Sequence, residues 1–440
     1  MLWQSRAQLD VKWMHKFGPI YGYYSFNKPI LTVGDPELIK QIWIKDFQVF
    51  PNRFMPSADN NNTNSLFGLN IDETTGQHWH RIRQAINPTF TSAKLRSSLI
   101  PKIDRCLSQL FNAMQPMVDR SKPIEMKRLM QPYVINIFAA SIFSLSIDAH
   151  QQPDHPYASH TLVRSLAVRL LPTFLLRSLR MKNESMYEDM ANEYFLGLTR
   201  HLMAERNNNN NNSTDGHNNR QYNDWLEELM NAKVSDKNNK TDDSTDAKLT
   251  TDEILANIWI LTSIGFDSTV TTHTYASYEL AADHELQSRL YNEIADCSAN
   301  GQLLDYDRVL NLPLLSAVIS ETLRKHSHAV RETRIADRDY QLSGTGITVK
   351  QGETVELPIY AIHHCPDYYP EPHLFRADRF LPANRHKLIP YTYLPFGLGP
   401  RHCLGKQFEL MLVKLTLANL IYRYRLTTCA QTDPRQQHNS

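Results

Sequence analysis

The sequence predicts a mainly α-helical fold with small β-sheets, and three observations carry that reading. Apolar residues recur at helical spacing over long stretches, from about 98 to 204, from Thr250 to about Ala282, and from Lys406 to Tyr424. Two shorter stretches alternate as strands, Lys16–Val33 and Gly346–Val355. The chain has 440 residues and 41% hydrophobic content, enough for one large core or for two or three ordinary domains. Lys and Arg total 47 against 46 Asp and Glu, which gives no electrostatic case for a nucleic-acid partner. The five cysteines (Cys106, Cys297, Cys365, Cys403, Cys429) are scattered and lack Cys-x-x-Cys pairs. That pattern argues against a disulfide framework or structural zinc, and for a reducing compartment.

The N-terminus shows no secretory signal and no run of about 18 apolar residues that could span a bilayer. Lys16–Tyr24 and Pro29–Val33 read as a β-hairpin. Asp35-Pro36 opens a capped helix over 35–49 that packs on it through Leu38, Ile39, Ile42 and Trp43. The loop to Gly76 is irregular, with an Asn-rich centre at 60–64. Trp79 and Arg83 stand four residues apart, so on a helix they share a face. Leu166–Leu179 is apolar with interspersed Arg, which suits either core or an interfacial membrane contact.

Residues 206–247 change character. The six-Asn run Asn207–Asn212 and the polar stretch Asp236–Lys248 bury too little apolar surface to order themselves, which predicts a low-complexity surface insert. One short helix is expected inside it, at Asp224–Met230. His363-His364-Cys365 looks metal-like, but adjacent side chains point apart, and a structural role is expected.

The stretch that organises the rest is Pro395–Gly405, with Gly397, Gly399 and Gly405 in eleven residues. Such a loop allows positive φ angles and close backbone approach. Cys403 stands just before a helix start, where unpaired N–H groups and the macrodipole favour a thiolate. A thiolate held this way, with no second cysteine near, suits the axial ligand of a haem iron. Arg401 could meet a haem propionate through a charge-assisted hydrogen bond. Trp79 and Arg83 offer an indole N–H and a guanidinium, a second propionate clamp.

The run Phe396, Gly397, Gly399, Arg401, Cys403, Gly405 resembles the haem-binding loop of the cytochrome P450 family. The resemblance extends from about residue 15 to 428 and implies one P450 domain over 1–440, interrupted by the 206–247 insert. It adds Phe396 and Arg334 to the haem contacts. It makes Glu321-x-x-Arg324, with Arg379, a structural triad around the proximal loop. Ile264-Gly265-Phe266-Asp267-Ser268-Thr269 resembles the family's central helix, with Gly265 giving room, and Asp267 and Ser268 handling protons for dioxygen chemistry. Ile264 replaces a small residue and should crowd that place, and Ser268 stands where Thr is usual. Ala377 and Ser327-His328 replace prolines, so a less rigid chain is expected there.

Asn87-Pro88-Thr89-Phe90-Thr91 and Lys94-Leu95-Arg96 resemble the microsomal xenobiotic-metabolising branch, and the family resemblance implies haem b as cofactor. It also implies O2 and a lipophilic small molecule as substrates, and electrons from NADPH through a flavoprotein reductase. It places the protein at the cytosolic face of the endoplasmic reticulum membrane. The family's anchor helix and proline-rich hinge are not seen ahead of the first strand, which suits either a shortened anchored protein or a soluble form. Two other readings stay open: an isomerase or dehydratase of the same fold acting on oxygenated lipids without external electrons, and a haem- or ligand-binding protein without turnover.

Overall fold

The computed structural model describes residues 6–25, 27–53, 66–162, 185–212, 222–234, 247–299 and 303–432. In chain order the helices are α1 (Arg6–Phe17), α2 (Pro36–Lys40), α3 (Gly76–Ile86), α4 (Ser92–Val118), α5 (Met126–Phe143) and α6 (Ser185–Asn212). They continue as α7 (Trp225–Met230), α8 (Thr251–Ala282), α9 (His284–Ala295), α10 (Tyr306–Val309), α11 (Pro313–Lys325), α12 (Ile359–His363) and α13 (Lys406–Arg423). The main sheet has strands β1 (Ile20–Ser25), β2 (Lys28–Val33), β3 (Glu332–Ile335) and β4 (Thr354–Leu357). The chain divides into two compact units: residues 1–59 with 271–440, and residues 60–270.

The first unit is built on the sheet, in the order β1-β2-β4-β3. β1 and β2 form an antiparallel hairpin with Ile20 opposite Val33. β4 runs parallel to β2, Thr354 opposite Ile30, and antiparallel to β3. The two strands expected at 346–355 both form, but they do not pair with each other. Thr348–Val349 pairs with Tyr340–Gln341, and the turn at Gly352 sends the following strand into the main sheet. Lys16 and Phe17, expected in the first strand, instead close α1, because Asp10 and Met14 are one turn apart and both buried. The core here gathers Val33, Ile39, Ile42, Trp43, Phe50, Val355, Leu357 and Ile362, each essentially inaccessible. Asp35 caps α2 by accepting the N–H groups of Glu37 and Leu38, both at 3.0 Å, and the chain then runs through a π-turn at Gln41–Lys45.

The second unit is helical. Every side chain of α5 from Tyr133 to Phe143 is buried, the mark of an interior helix, with Asn136 satisfied by Gln109 and the Ala149 N–H. α8 starts with a reciprocal cap: Glu253 N–H donates to Thr250 Oγ1 (3.2 Å) and Thr250 N–H to Glu253 Oε2 (2.8 Å). Glu253 Oε1 also accepts His78 Nε2 at 2.8 Å and pairs with Arg81, which fastens α3 to the start of α8. Among the described residues α8 alone is long and apolar enough to cross a membrane, and more than half of that window is buried, as in the core helix of a globular protein.

The expected insert is ordered at its flanks. α6 continues through Asn212, so the polar run from residue 206 to 212 is helical and not structureless. Extending an existing helix avoids the nucleation cost, and Asn is only about 0.7 kcal/mol per residue worse than Ala in a helix interior. Arg206, at the edge of the assigned insert, is 2% exposed and pairs with buried Asp224 at 2.8 Å. Asp224 also caps α7, the one short helix expected there. The apolar stretch 166–179 and the Asn-rich loop centre 60–64 lie outside the described residues.

Candidate functional site

Gly397 and Gly399 have φ of +68° and +72°, the left-handed region that disfavours side chains. A Cβ on Gly399 would lie 1.9 Å from the carbonyl oxygen of Trp43, so the loop is seated directly on the backbone after α2. Gly397 N–H donates to Leu394 O (3.1 Å), His402 N–H to Gly399 O (3.0 Å), and Cys403 N–H to Phe396 O (2.8 Å). These bonds fold the loop back on itself and present Cys403 as an exposed side chain three residues before α13.

Beside the loop lies a chain of charged groups. Arg334 on β3 is fully buried and donates from Nη2 to Glu332 Oε1 at 2.7 Å. Arg53 Nη2 donates to the same oxygen (3.4 Å) and to the carbonyl of Arg401 (2.9 Å). The Arg401 side chain is buried, and Lys406 Nζ lies 5.8 Å from the Phe396 ring centroid. The first unit therefore brings Arg334, Phe396, Arg401 and Cys403 together.

Behind the loop, Glu321 and Arg324 form a two-bond pair at 0% exposure: Nε to Oε2 and Nη2 to Oε1, each 2.8 Å. Arg379 Nε reaches Oε1 at 3.4 Å and the Arg376 N–H donates to it at 2.9 Å. Arg324 Nη1 then donates to the carbonyl of His363 (2.8 Å). A buried carboxylate so fully partnered fixes its surroundings, because loss of any member strands a charge. His363 accepts the N–H of Leu394 at Nε2 (2.9 Å), which ties this cluster to the base of the loop. His364 stacks on Tyr360 with centroids 4.0 Å apart. Both histidines are thus engaged by neighbouring groups.

Trp79, Arg83, Asp267 and Ser268 lie in the second unit. Trp79 is buried on α3 and Arg83, one turn on, is partly buried. On α8, Ser268 Oγ donates to Gly265 O at 3.2 Å and Thr269 Oγ1 donates to the same carbonyl at 2.7 Å. The glycine has a packing reason: a Cβ there would meet the Phe138 ring of α5 at 2.8 Å. Ile264 is 51% exposed in the middle of an otherwise largely buried helix.

The donor set fits a haem. One exposed thiol stands at a helix start on a loop that Gly397 and Gly399 bend through positive φ, and the same unit holds two buried guanidinium groups, Arg334 and Arg401. Sequence reasoning missed Arg53, Glu332, Thr272 and Glu409. Glu409 had a visible signal, an acid three residues before Leu412 on an apolar helix face, and it is buried with Oε1 accepting Thr272 Oγ1 at 3.0 Å.

The cytochrome P450 family model matches residues 2–440. Among curated proteins the chain is similar to cytochrome P450 3A11 of Mus musculus, 30% identical over 437 residues, covering 97% of this chain and 82% of that protein. It is 31% identical to cytochrome P450 3A31 of Mesocricetus auratus over 434 residues, covering 96% and 82%. It is also 30% identical to cytochrome P450 9b2 of Drosophila melanogaster over 431 residues, covering 94% and 81%. With its thiol loop, buried acid–arginine cluster and central helix matched across nearly the whole length, the chain belongs to the cytochrome P450 family of haem-dependent monooxygenases.

Proposed function

We propose that the protein inserts one atom of O2 into a lipophilic small molecule, using electrons passed from NADPH by a flavoprotein reductase. The proposal includes residence at the cytosolic face of the endoplasmic reticulum membrane and a single functional domain across both compact units. The observation that carries it is the seating of Cys403, on a loop pinned by Gly399 against Trp43 at the start of α13. Bound there, the haem supplies dioxygen activation and electron storage.

The chain's own residues do the rest. Cys403 would bind the haem iron through its sulfur, and the loop bonds around it keep its position fixed. Arg334, Arg401 and Arg83 would pair with the haem propionates, Trp79 would donate its indole N–H to them, and Phe396 would pack beside the bound group. Asp267 carries protons in from α8, and Ser268 holds a hydroxyl beside it. Ser268 Oγ donates to the Gly265 carbonyl, which holds the hydroxyl on the same turn of α8 as Asp267. Glu321, Arg324 and Arg379 hold the proximal side rigid.

The test is the reduced protein under carbon monoxide. Thiolate ligation gives a red-shifted Soret band, which Cys403→Ala should lose. Reductase-dependent NADPH consumption with an oxygenated product then separates this reading from an isomerase, which would turn over a lipid peroxide without reductase.

A further inference from the structure

We propose that Glu409 is a redox-coupled proton acceptor, a buried carboxylic acid joining α13 to α8 that takes up one proton when the haem iron gains one electron. The inference rests on Cys403 as the iron ligand.

Glu409 is 8% exposed, and its contact across to α8 is the Thr272 hydroxyl at 3.0 Å. No cation among the described residues stands within ion-pair distance of it. On α9 and α11, which pack against α13, Glu293, Glu321 and Arg324 are engaged elsewhere. Glu321 and Arg324 of α11 hold each other. Glu293 of α9 accepts the Leu314 and Leu315 N–H groups. Tyr306, on α10, takes its hydrogen bond from Asn419. Tyr393 is the nearby titratable neighbour, and burial first, with Glu409 among the lesser causes, pushes its phenol up. Burial raises the Glu409 carboxyl to about 7, against the opposing pull of the Thr272 hydrogen bond. A group so poised changes occupancy in response to a modest change in local potential.

That change arrives close by. Glu409 N–H donates to Gly405 O at 2.9 Å, and Gly405 is two residues past Cys403. Chain geometry therefore keeps the Cα atoms of Cys403 and Glu409 within about 14 Å of each other. In a low-dielectric interior an added negative charge at that range favours the protonated acid. The step balances simply: a one-electron donor of the flavin or dithionite class supplies the electron, iron(III) becomes iron(II), and solvent supplies the proton that Glu409 binds.

The experiment is the reduction potential of the haem-loaded protein by spectroelectrochemistry from pH 6 to 8, in the parent, Glu409→Gln and Thr272→Val. The parent potential should fall as pH rises, with a limiting slope of about 59 mV per pH unit for one proton per electron. Glu409→Gln should be flat and sit near the parent's acid-side value. Thr272→Val removes the bond that favours the ionised carboxylate, so it should move the parent's midpoint to higher pH, and it decides the matter if Glu409→Gln does not fold. A flat parent, an unchanged slope in Glu409→Gln, or an unshifted midpoint in Thr272→Val overturns the proposal. The carbon monoxide spectrum separates the two readings: a thiolate band with a flat parent potential sinks Glu409 alone, whereas a missing band in the parent sinks Cys403 as ligand and this inference with it.

Discussion

Arg324 meets Glu321 through two parallel hydrogen bonds of 2.8 Å, and neither side chain has measurable exposure. Glu321→Ala should leave Arg324 as an uncompensated buried charge, and Arg379 without its carboxylate, at a cost of about 3–5 kcal/mol. The expected outcome is little folded, haem-containing protein. Normal haem content in the purified variant would count against the triad.

Gly399 offers a sharper test of the loop. With φ at +72° and a Cβ position 1.9 Å from the Trp43 carbonyl, Gly399→Ala must move backbone rather than a side chain. The left-handed conformation alone costs about 1–2 kcal/mol for a residue with a Cβ. Gly399→Ala should lose the thiolate Soret band and lower the melting temperature, and an unchanged band would show that the loop is not pinned there.

Acid should destabilise the fold through buried histidines. Burial holds His364 at about 4, and burial also lowers His363 and His326 below their ordinary range. In the unfolded chain these groups protonate near 6.5, so the unfolded state binds more protons as pH falls below that value. Stability is therefore intact above 6.5 and drains away between 6.5 and 4, by on the order of 3 kcal/mol for His364 alone. Thermal unfolding at pH 7, 5.5 and 4.5 should show the loss, and His364→Gln should make it shallower. Equal slopes in both proteins would clear His364 of the effect.

The proposed proton path on α8 rests on two positions, Asp267 and Ser268. Asp267→Asn should slow product formation by roughly 10²-fold, the low end of what a positioned proton donor contributes. Ser268→Ala should divert reducing equivalents to peroxide, because it removes the hydroxyl next to Asp267, and Thr269, one position on, points about 100° round the helix. Ser268→Thr should raise product per NADPH, since the extra methyl restricts the rotamer. Peroxide and product yields with reductase and one accepted substrate measure all three, and a Ser268→Ala that matches the parent removes the hydroxyl from oxygen chemistry.

Much of the architecture was legible because it depends on local pattern. Asp35 before Pro36, and Thr250 with Glu253 three residues on, announce helix starts through their own hydrogen bonds, and both caps formed as read. Gly397, Gly399 and Cys403 declared a loop because glycine has few other reasons to cluster. What stayed hidden depends on partners distant in sequence. Gly265 was read as room for oxygen, but its nearest demand is the Phe138 ring, more than a hundred residues earlier. Glu332 and Arg53 meet only after β3 forms, and nothing local to either residue signals the other. The Asn run misled for a different reason: composition measures whether a segment can order itself, and this one inherits its order from α6.

The parallel pairing of Ile30 with Thr354 sets a schedule for synthesis. On the ribosome the N-terminal hairpin emerges early, yet the strand that completes its inner edge is made roughly 320 residues later, a wait of about 15–65 s at ordinary elongation rates. Throughout that interval β2 presents an open row of backbone donors and acceptors to whatever else is nearby. The hairpin therefore needs shelter until β4 has been translated, and slowing translation between the stretches encoding β2 and β4 should lower the yield of folded protein more than slowing it after β4.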